Sequence, residues 1–234
     1  MKIENPEKRL FQFWGKVDKK HIGIISKWVS GKTILDIGSG LGTTSGEIAK
    51  QKEKECIGID CDLSSIETAR RLYPNGTYLF QNCEELRFPD NYFDTIILRD
   101  VLHHLKGESD FNKSKSELIR VAKPNGKIII FDPNINFILK TARKISAHKD
   151  EECAYEDALK IFSEINCKVL YKEFNTIFSL PLSGGYVGIS FVPNINFIHK
   201  AILISENIFE RIINSLNLGR YFCWRYLIVF EVSK

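Results

Sequence analysis

The chain has 234 residues, 44% hydrophobic and 26% charged, ordinary proportions for one α/β domain or a core with an added lid. They exclude wholesale disorder, a collagen-like chain and a coiled-coil rod. Lys plus Arg number 33 against 29 Asp plus Glu, a net charge of +4, too small an excess to point to nucleic acid.

Lys8 to Val29 reads as helix in two pieces around Gly15, with Phe11, Trp14, Ile22, Ile25 and Trp28 at its apolar positions. Thr33 to Ile37 (TILDI) is a short β-branched run and hence a buried strand. The loop GSGLGTTS follows, then a helix to about Lys52. Cys56 to Asp60 is a second strand, Leu63 to Leu72 a helix, and Tyr78 to Gln81 a third strand. Phe93 to Leu98 is a fourth strand and Ser109 to Ala122 a helix, ended by the breaker Lys123-Pro124-Asn125-Gly126. Lys127 to Phe131 is a fifth strand. Repeated strand–helix–strand units imply a parallel sheet with helices on both faces.

Beyond strand five the rhythm changes. Asn134 to Ser146 and Tyr155 to Ile165 read as helices, and Lys168 to Phe174 as a strand. An irregular apolar stretch then leads into a helix from Ala201 to Leu216, with Ile204, Ile208, Ile212 and Leu216 on one face. Tyr221 to Val232 closes the chain as a long strand. From Phe174 to His199 there is no Asp, Glu, Lys or Arg, but Pro181, Gly184, Gly185, Gly188 and Pro193 interrupt the run. It reads as an apolar lid, a dimer surface or a membrane-surface patch rather than a span.

The six cysteines are Cys56, Cys61, Cys83, Cys153, Cys167 and Cys223. They form no CxxC pair, so neither a zinc site nor a disulfide framework is expected. The charged N-terminus has no apolar core of a secretory signal, and a reducing cytosol is the expected compartment.

The most informative stretch is Leu35 to Gly42, LDIGSGLG. A buried strand enters a tight glycine turn, and a helix begins at once, so the backbone can approach a ligand closely. A dinucleotide loop would carry GxGxxG. Here Gly38, Gly40 and Gly42 alternate, and Thr43 holds the third glycine's place. Asp36, inside the strand end, suits an amino group and no phosphate. Asp60, ending strand two, suits the two hydroxyls of a ribose. An amino acid at one end and a ribose at the other describe S-adenosylmethionine.

LDIGSGLGTTS, GIDCDLSSIETAR, FDTIILRDVLHHL and VAKPNGKIIIFDP together resemble the successive motifs of class I S-adenosylmethionine-dependent methyltransferases. The closer resemblance is to the small-molecule branch with ubiquinone/menaquinone-type enzymes, over roughly residues 10 to 132. It implies a Rossmann-like, seven-stranded, mostly parallel sheet with the last strand antiparallel, plus a helical or irregular lid. Within one domain, residues 1–30 would be a helical cap and 31–174 the cofactor core. Residues 175–220 would be an apolar insert and 221–234 the closing strand.

The resemblance also implies roles. Asp36 would orient the methionine amino group, and Gly38, Ser39 and Gly40 would lie against methionine and ribose. Asp60 would hold the ribose hydroxyls, with Cys61 packed on the adenine. Asn82 stands where the family usually has Asp, and its carbonyl can still accept from the adenine amino group. The Cys83 N–H would meet the adenine ring, and Arg99 would lie near the methionine end.

Methyl transfer needs the acceptor held in line with the C–S bond, and a base only if the acceptor is protonated. His103 and His104, just past strand four, are the candidate catalytic residues. The bland reading is that an HH pair at a helix start fixes a loop. His148 and His199 read as surface or lid residues, and His21 as lying on a solvated face or at the cofactor entrance.

The acceptor site is expected from the leading helix, from 132–150 and from the insert, whose Phe178, Leu180, Leu182, Tyr186, Phe191 and Phe197 suit an apolar or amphipathic small molecule. Packing of these side chains on the core or on a second subunit is the alternative. The expected partners are a small-molecule acceptor, with a membrane surface or lipid contact and a homodimer both open, and no nucleic acid. Two other functions stay open: an S-adenosylmethionine-binding regulator without catalysis, and an NAD-dependent oxidoreductase, against which the missing third glycine counts. RNA or protein methylation is a further variant, opposed by the absence of a basic-aromatic patch and of an Asn-Pro-Pro-Tyr-type tetrapeptide.

Overall fold

A computed structural model describes residues 12–105, 111–136, 153–184 and 190–234. In chain order its elements begin with α1 (Phe13–Ser26), β1 (Thr33–Ile37), α2 (Thr43–Ala49), β2 (Glu55–Asp60), α3 (Leu63–Leu72) and β3 (Thr77–Phe80). Then come β4 (Phe93–Arg99), α4 (Leu102–Leu105), α5 (Phe111–Val121), β5 (Ala122–Pro133), α6 (Tyr155–Ser163) and β6 (Cys167–Asn175). The last are α7 (Ser179–Leu182), α8 (Asn196–Ser215), α9 (Gly219–Phe222) and β7 (Arg225–Val232).

The seven strands form one sheet in the order β3-β2-β1-β4-β5-β7-β6. Pairs β3–β2, β2–β1, β1–β4 and β4–β5 are parallel, and the last strands are antiparallel. Parallel strands covered on both faces must be apolar throughout, and Ile34, Leu35, Ile96, Ile97 and Leu98 are all fully buried. From β1 the order runs outward to β2 and β3 on one side and to β4 and β5 on the other. This reversal opens a crevice at the carboxyl ends of β1 and β4, the place where open α/β sheets bind ligands.

The chain divides into two compact units. The larger comprises Ile25–Pro133, Asp150–Lys172 and Leu227–Lys234. At the entry edge of its strands, Asp94 accepts the N–H of Lys32 at 2.8 Å and of Thr33 at 2.9 Å, and Lys123 Nζ lies 2.7 Å from it. Phe162 of α6 stacks on Phe230 of β7 at 4.8 Å. The breaker Lys123-Pro124-Asn125-Gly126 lies inside β5 rather than before it. Asn125 adopts φ 59°, and the β4–β5 register shifts between Phe93 and Thr95, so an irregularity takes up the turn residues without ending the strand.

The smaller unit comprises Met1–Ile24, Asn134–Lys149 and Glu173–Tyr226. Here α1 is one helix through Gly15, not two pieces, because Phe13 and Val17 on either side of the glycine are both buried. Asn134–Asn136 is not helical. The side-chain amide of Asn134 donates to the carbonyls of Arg220 and Cys223, and that of Asn136 to Cys223. The helix α8 begins at Asn196, five residues before the expected start, and α9 occupies Gly219–Phe222, so the closing strand begins at Arg225.

His21 and His199 are both fully buried, in place of the solvated or surface positions expected. His21 Nε2 lies 2.9 Å from Thr176 Oγ1, and His199 stacks on Phe13 at 4.7 Å. A polar partner for each ring, with an aromatic face for His199, makes burial favourable. Expectations at Lys8, Phe11, Ser109, 137–150 including His148, and Tyr186 fall outside the described residues. Among the described residues no helix is long and apolar enough to cross a membrane.

Candidate functional site

Four strand ends converge on one cavity of about 480 Å³ in the larger unit. β1 supplies Ile37 and Gly38, β2 Ile59 and Asp60 followed by Cys61, and the end of β3 Gln81, Asn82 and Cys83. The stretch after β4 supplies Asp100, Val101, His104 and Leu105. The volume lies in the range of small-molecule and cofactor sites.

The glycine turn is shaped by close approach. Gly38 has φ +64°, and a Cβ there would lie 2.3 Å from Val101 Cγ2. Gly40 has φ +50° with open space where its Cβ would point. The Gly40 N–H donates to Asp60 Oδ2 at 2.8 Å, and the Asp62 N–H donates to Asp60 Oδ1 at 2.9 Å. Each carboxylate oxygen thus accepts one backbone hydrogen and keeps a lone pair for a ligand. Asp62 in turn caps α3 by accepting from Ser64 and Ser65.

Asp36 sits one step behind the cavity wall. It is buried and accepts the Ser45 hydroxyl. Burial raises its pKa from 3.8 to about 6, against the opposing pull of Ser45 and Arg99. Arg99 reaches the first turn of α2, donating to Thr44 Oγ1 at 3.1 Å. Asn82 is exposed and its Oδ1 accepts the Glu84 N–H at 3.1 Å. Cys83 is buried, lines the cavity and has its sulfur 3.4 Å from Ser114 Oγ.

The two histidines part company. His104 is exposed and lines the cavity. His103 is buried, and its Nδ1 donates to Asp132 Oδ2 at 2.9 Å. Asp132 also accepts the N–H of Val101 at 3.0 Å and of His103 at 3.1 Å. The rings of His103 and His104 lie 4.1 Å apart.

Gly38, Asp60, Cys61, Asn82, Cys83 and His104 therefore share one cavity, whereas Asp36, Ser39, Gly40, Arg99 and His103 stand outside its walls. Asp100 and Asp132 were missed from the sequence. Their signals were the strand-end aspartates of FDTIILRD and KIIIFD. Among the described residues no group of three or more His, Cys, Asp or Glu could hold a metal ion.

Among the described residues the cavity lining carries two carboxylates, Asp60 and Asp100, and no Lys or Arg. Such walls favour a cationic or neutral ligand over a pyrophosphate. The aliphatic Ile37, Ile59, Val101 and Leu105 suit a flat base. These residues fit S-adenosylmethionine. The family model described as a methyltransferase domain matches residues 35–130. That stretch of the chain is similar to this family.

A methyltransferase of Bacillus subtilis, YcgJ, itself described as uncharacterized, is 34% identical over 104 residues, 42% of this chain and 40% of that protein. The ubiquinone/menaquinone biosynthesis C-methyltransferase UbiE of Rickettsia bellii is 29% identical over 185 residues, 67% of this chain and 73% of that one. A solved S-adenosylmethionine-dependent methyltransferase from Archaeoglobus fulgidus shares the fold, with TM-score 0.66, 18% identity and 93% of each chain covered. The chain thus spans less than half of the first relative's length and nearly three quarters of the second's.

Proposed function

We propose that the chain transfers the methyl group of S-adenosylmethionine to an apolar or amphipathic small molecule. The observation that carries the cofactor half is the Asp60 carboxylate, pinned by Gly40 and Asp62 N–H groups in a cavity whose described lining has no Lys or Arg. When bound, the cofactor supplies a methyl group already activated on a sulfonium. Asp60 would hold the ribose hydroxyls, with Cys61, Leu105, Asn82 and Cys83 around the base. Asp36, with Ser45 and Arg99 around it, would orient the amino group from behind the cavity wall, and Ser39 and Gly40 would hold the turn that the methionine end meets. His104 would meet the ligand from the cavity lining, and Asp132 holds His103.

For the acceptor, the Rickettsia relative is named for quinone biosynthesis. A polar ring with an apolar tail matches the aromatic and aliphatic residues concentrated after Asn175. An acceptor of that kind partitions into bilayers, so the partner we favour beyond it is a membrane surface met from the cytoplasm. A homodimer is the other partner reading.

Calorimetric titration with S-adenosylhomocysteine and, separately, with NADH tests the cofactor reading. Micromolar binding of the homocysteine compound, lost in Asp60→Ala, is expected. Binding of NADH instead would turn the site into that of an oxidoreductase. Cofactor binding without methyl transfer to any quinol, phenol or lipid acceptor tried would favour a non-catalytic regulator.

A further inference from the structure

The helix α8 is turned inside out. Its buried residues are His199, Glu206 and Glu210. Phe197, Ile204, Ile208, Phe209, Ile212 and Leu216, on or just beyond it, are exposed, Phe197 by 80%. Eleven of the fifteen exposed large hydrophobic side chains among the described residues fall between Phe191 and Phe222, so the exposure is a concentrated face and not scatter.

The inward carboxylates explain the orientation. Glu206 Oε1 accepts the N–H groups of Ile177 at 2.9 Å, Phe178 at 3.0 Å and Ser179 at 2.7 Å. Its Oε2 accepts the Ser179 hydroxyl at 2.6 Å and meets Lys20 Nζ at 2.7 Å. Glu210 accepts the Thr176 N–H and meets the same Lys20 at 2.8 Å. Rolling the helix to hide its isoleucines would strand two carboxylates and their donors, a larger loss than the exposed apolar area.

Charge then selects what covers the face. Between Asn175 and Cys223 the only acidic residues are Glu206 and Glu210, and the basic ones are Lys200, Arg211 and Arg220. All three basic residues are exposed and both acids are buried. Lys200 and Arg211 lie about three turns apart along one edge of the isoleucine stripe. A face that is apolar and purely cationic complements an anionic lipid surface. Two copies meeting through this face would bring like charges together with no exposed acid of the face to neutralise them.

We propose that the outer face of α8 docks on an anionic bilayer, with Ile204, Ile208 and Ile212 entering the headgroup–acyl boundary and Lys200 and Arg211 meeting lipid phosphates. This deepens the membrane partner reading and does not depend on methyl transfer. The test is sedimentation of the full chain with phosphatidylcholine vesicles, with and without phosphatidylglycerol, alongside light scattering for oligomeric state. Binding is expected only with phosphatidylglycerol present and should weaken as salt rises. The triple variant Ile204→Ser, Ile208→Ser, Ile212→Ser should lose at least tenfold in vesicle affinity, and Lys200→Gln with Arg211→Gln about thirtyfold.

Unchanged S-adenosylhomocysteine affinity in both variants would show that the chain still folds, and would keep failure of this surface separate from failure of the cofactor site. No binding to either vesicle, or equal binding by wild type and triple variant, would overturn the proposal. A monomer–dimer equilibrium abolished by the triple variant, with no vesicle binding, would assign the face to a second copy instead.

Discussion

Asp132 accepts three hydrogen bonds in one place: from the Val101 N–H, from the His103 N–H, and from His103 Nδ1 at 2.9 Å. Because a carboxylate can only accept, Nδ1 carries the hydrogen. The same aspartate holds the N-terminal turn of α4, so it sets both the ring's tautomer and the backbone that carries His104.

Asp132→Asn keeps the size and one acceptor but no longer demands that tautomer. We expect kcat to fall about tenfold to a hundredfold with the cofactor Kd within about threefold. Imidazole ¹⁵N NMR should show His103 losing its fixed Nδ1-protonated form. If the tautomer changes and kcat does not, His103 serves packing alone.

Asp36 makes stability and cofactor binding respond oppositely to pH. Burial lifts its pKa from 3.8 in the unfolded chain to about 6. The neutral carboxyl therefore contributes stability that is fully present below about pH 4 and is lost as pH rises through about 6, roughly 3 kcal/mol in all. An ammonium group bound beside it favours the ionised form, so cofactor affinity should drop below pH 6, where binding releases about one proton. Urea melts of wild type and Asp36→Asn at pH 5 and pH 7 check the first half. A stability difference between the two proteins that stays the same at both pH values would refute the assignment.

Gly38→Ala should cost about 2–4 kcal/mol and most of the cofactor affinity. The new methyl would sit 2.3 Å from Val101 Cγ2 on a backbone at φ +64°, combining overpacking with left-handed strain. Val101→Ala added to it should recover only part of the stability, because the steric clash is removed and the strain remains. Full recovery would mean that the backbone strain contributes nothing.

Asp94→Ala should lower stability by about 2–3 kcal/mol without touching the cofactor Kd. The carboxylate ties the starts of β1, β4 and β5 through Lys32, Thr33 and Lys123. Burial opposes its ionisation, but the Lys123, Thr33 and Lys32 hydrogen bonds outweigh it and hold the pKa well below 3.8. That contribution is present at neutral pH and is lost as pH falls through the lowered pKa. Denaturant midpoints down to pH 3 should show the wild-type advantage persisting below pH 4.

The strands, the glycine turn and Asp60 were legible in the sequence because their signals are local. TILDI must be buried on both faces, the alternating glycines must turn, and a carboxylate ending a strand beside them must face the crevice. The four motifs also come in the order the sheet needs. The continuation of β5 past its Pro-Asn-Gly breaker was not legible, since pairing with β4 resumes at Lys127 after an irregularity takes up the turn residues, which a local turn signal does not reveal.

The sequence by itself determined the class of fold, the switch-point crevice and the residues at its strand ends, because periodicity and turn chemistry act over a few neighbouring residues. Only the tertiary structure decided that His103 turns to Asp132 while His104 faces the cavity. It alone decided that His21 and His199 are buried, and that α8 hides its acids and shows its isoleucines. In each case the deciding partner lies far along the chain: 29 residues from His103 to Asp132, and 186 from Lys20 to Glu206. A buried carboxylate's need for donors outweighed the hydrophobic pattern that the helix carries.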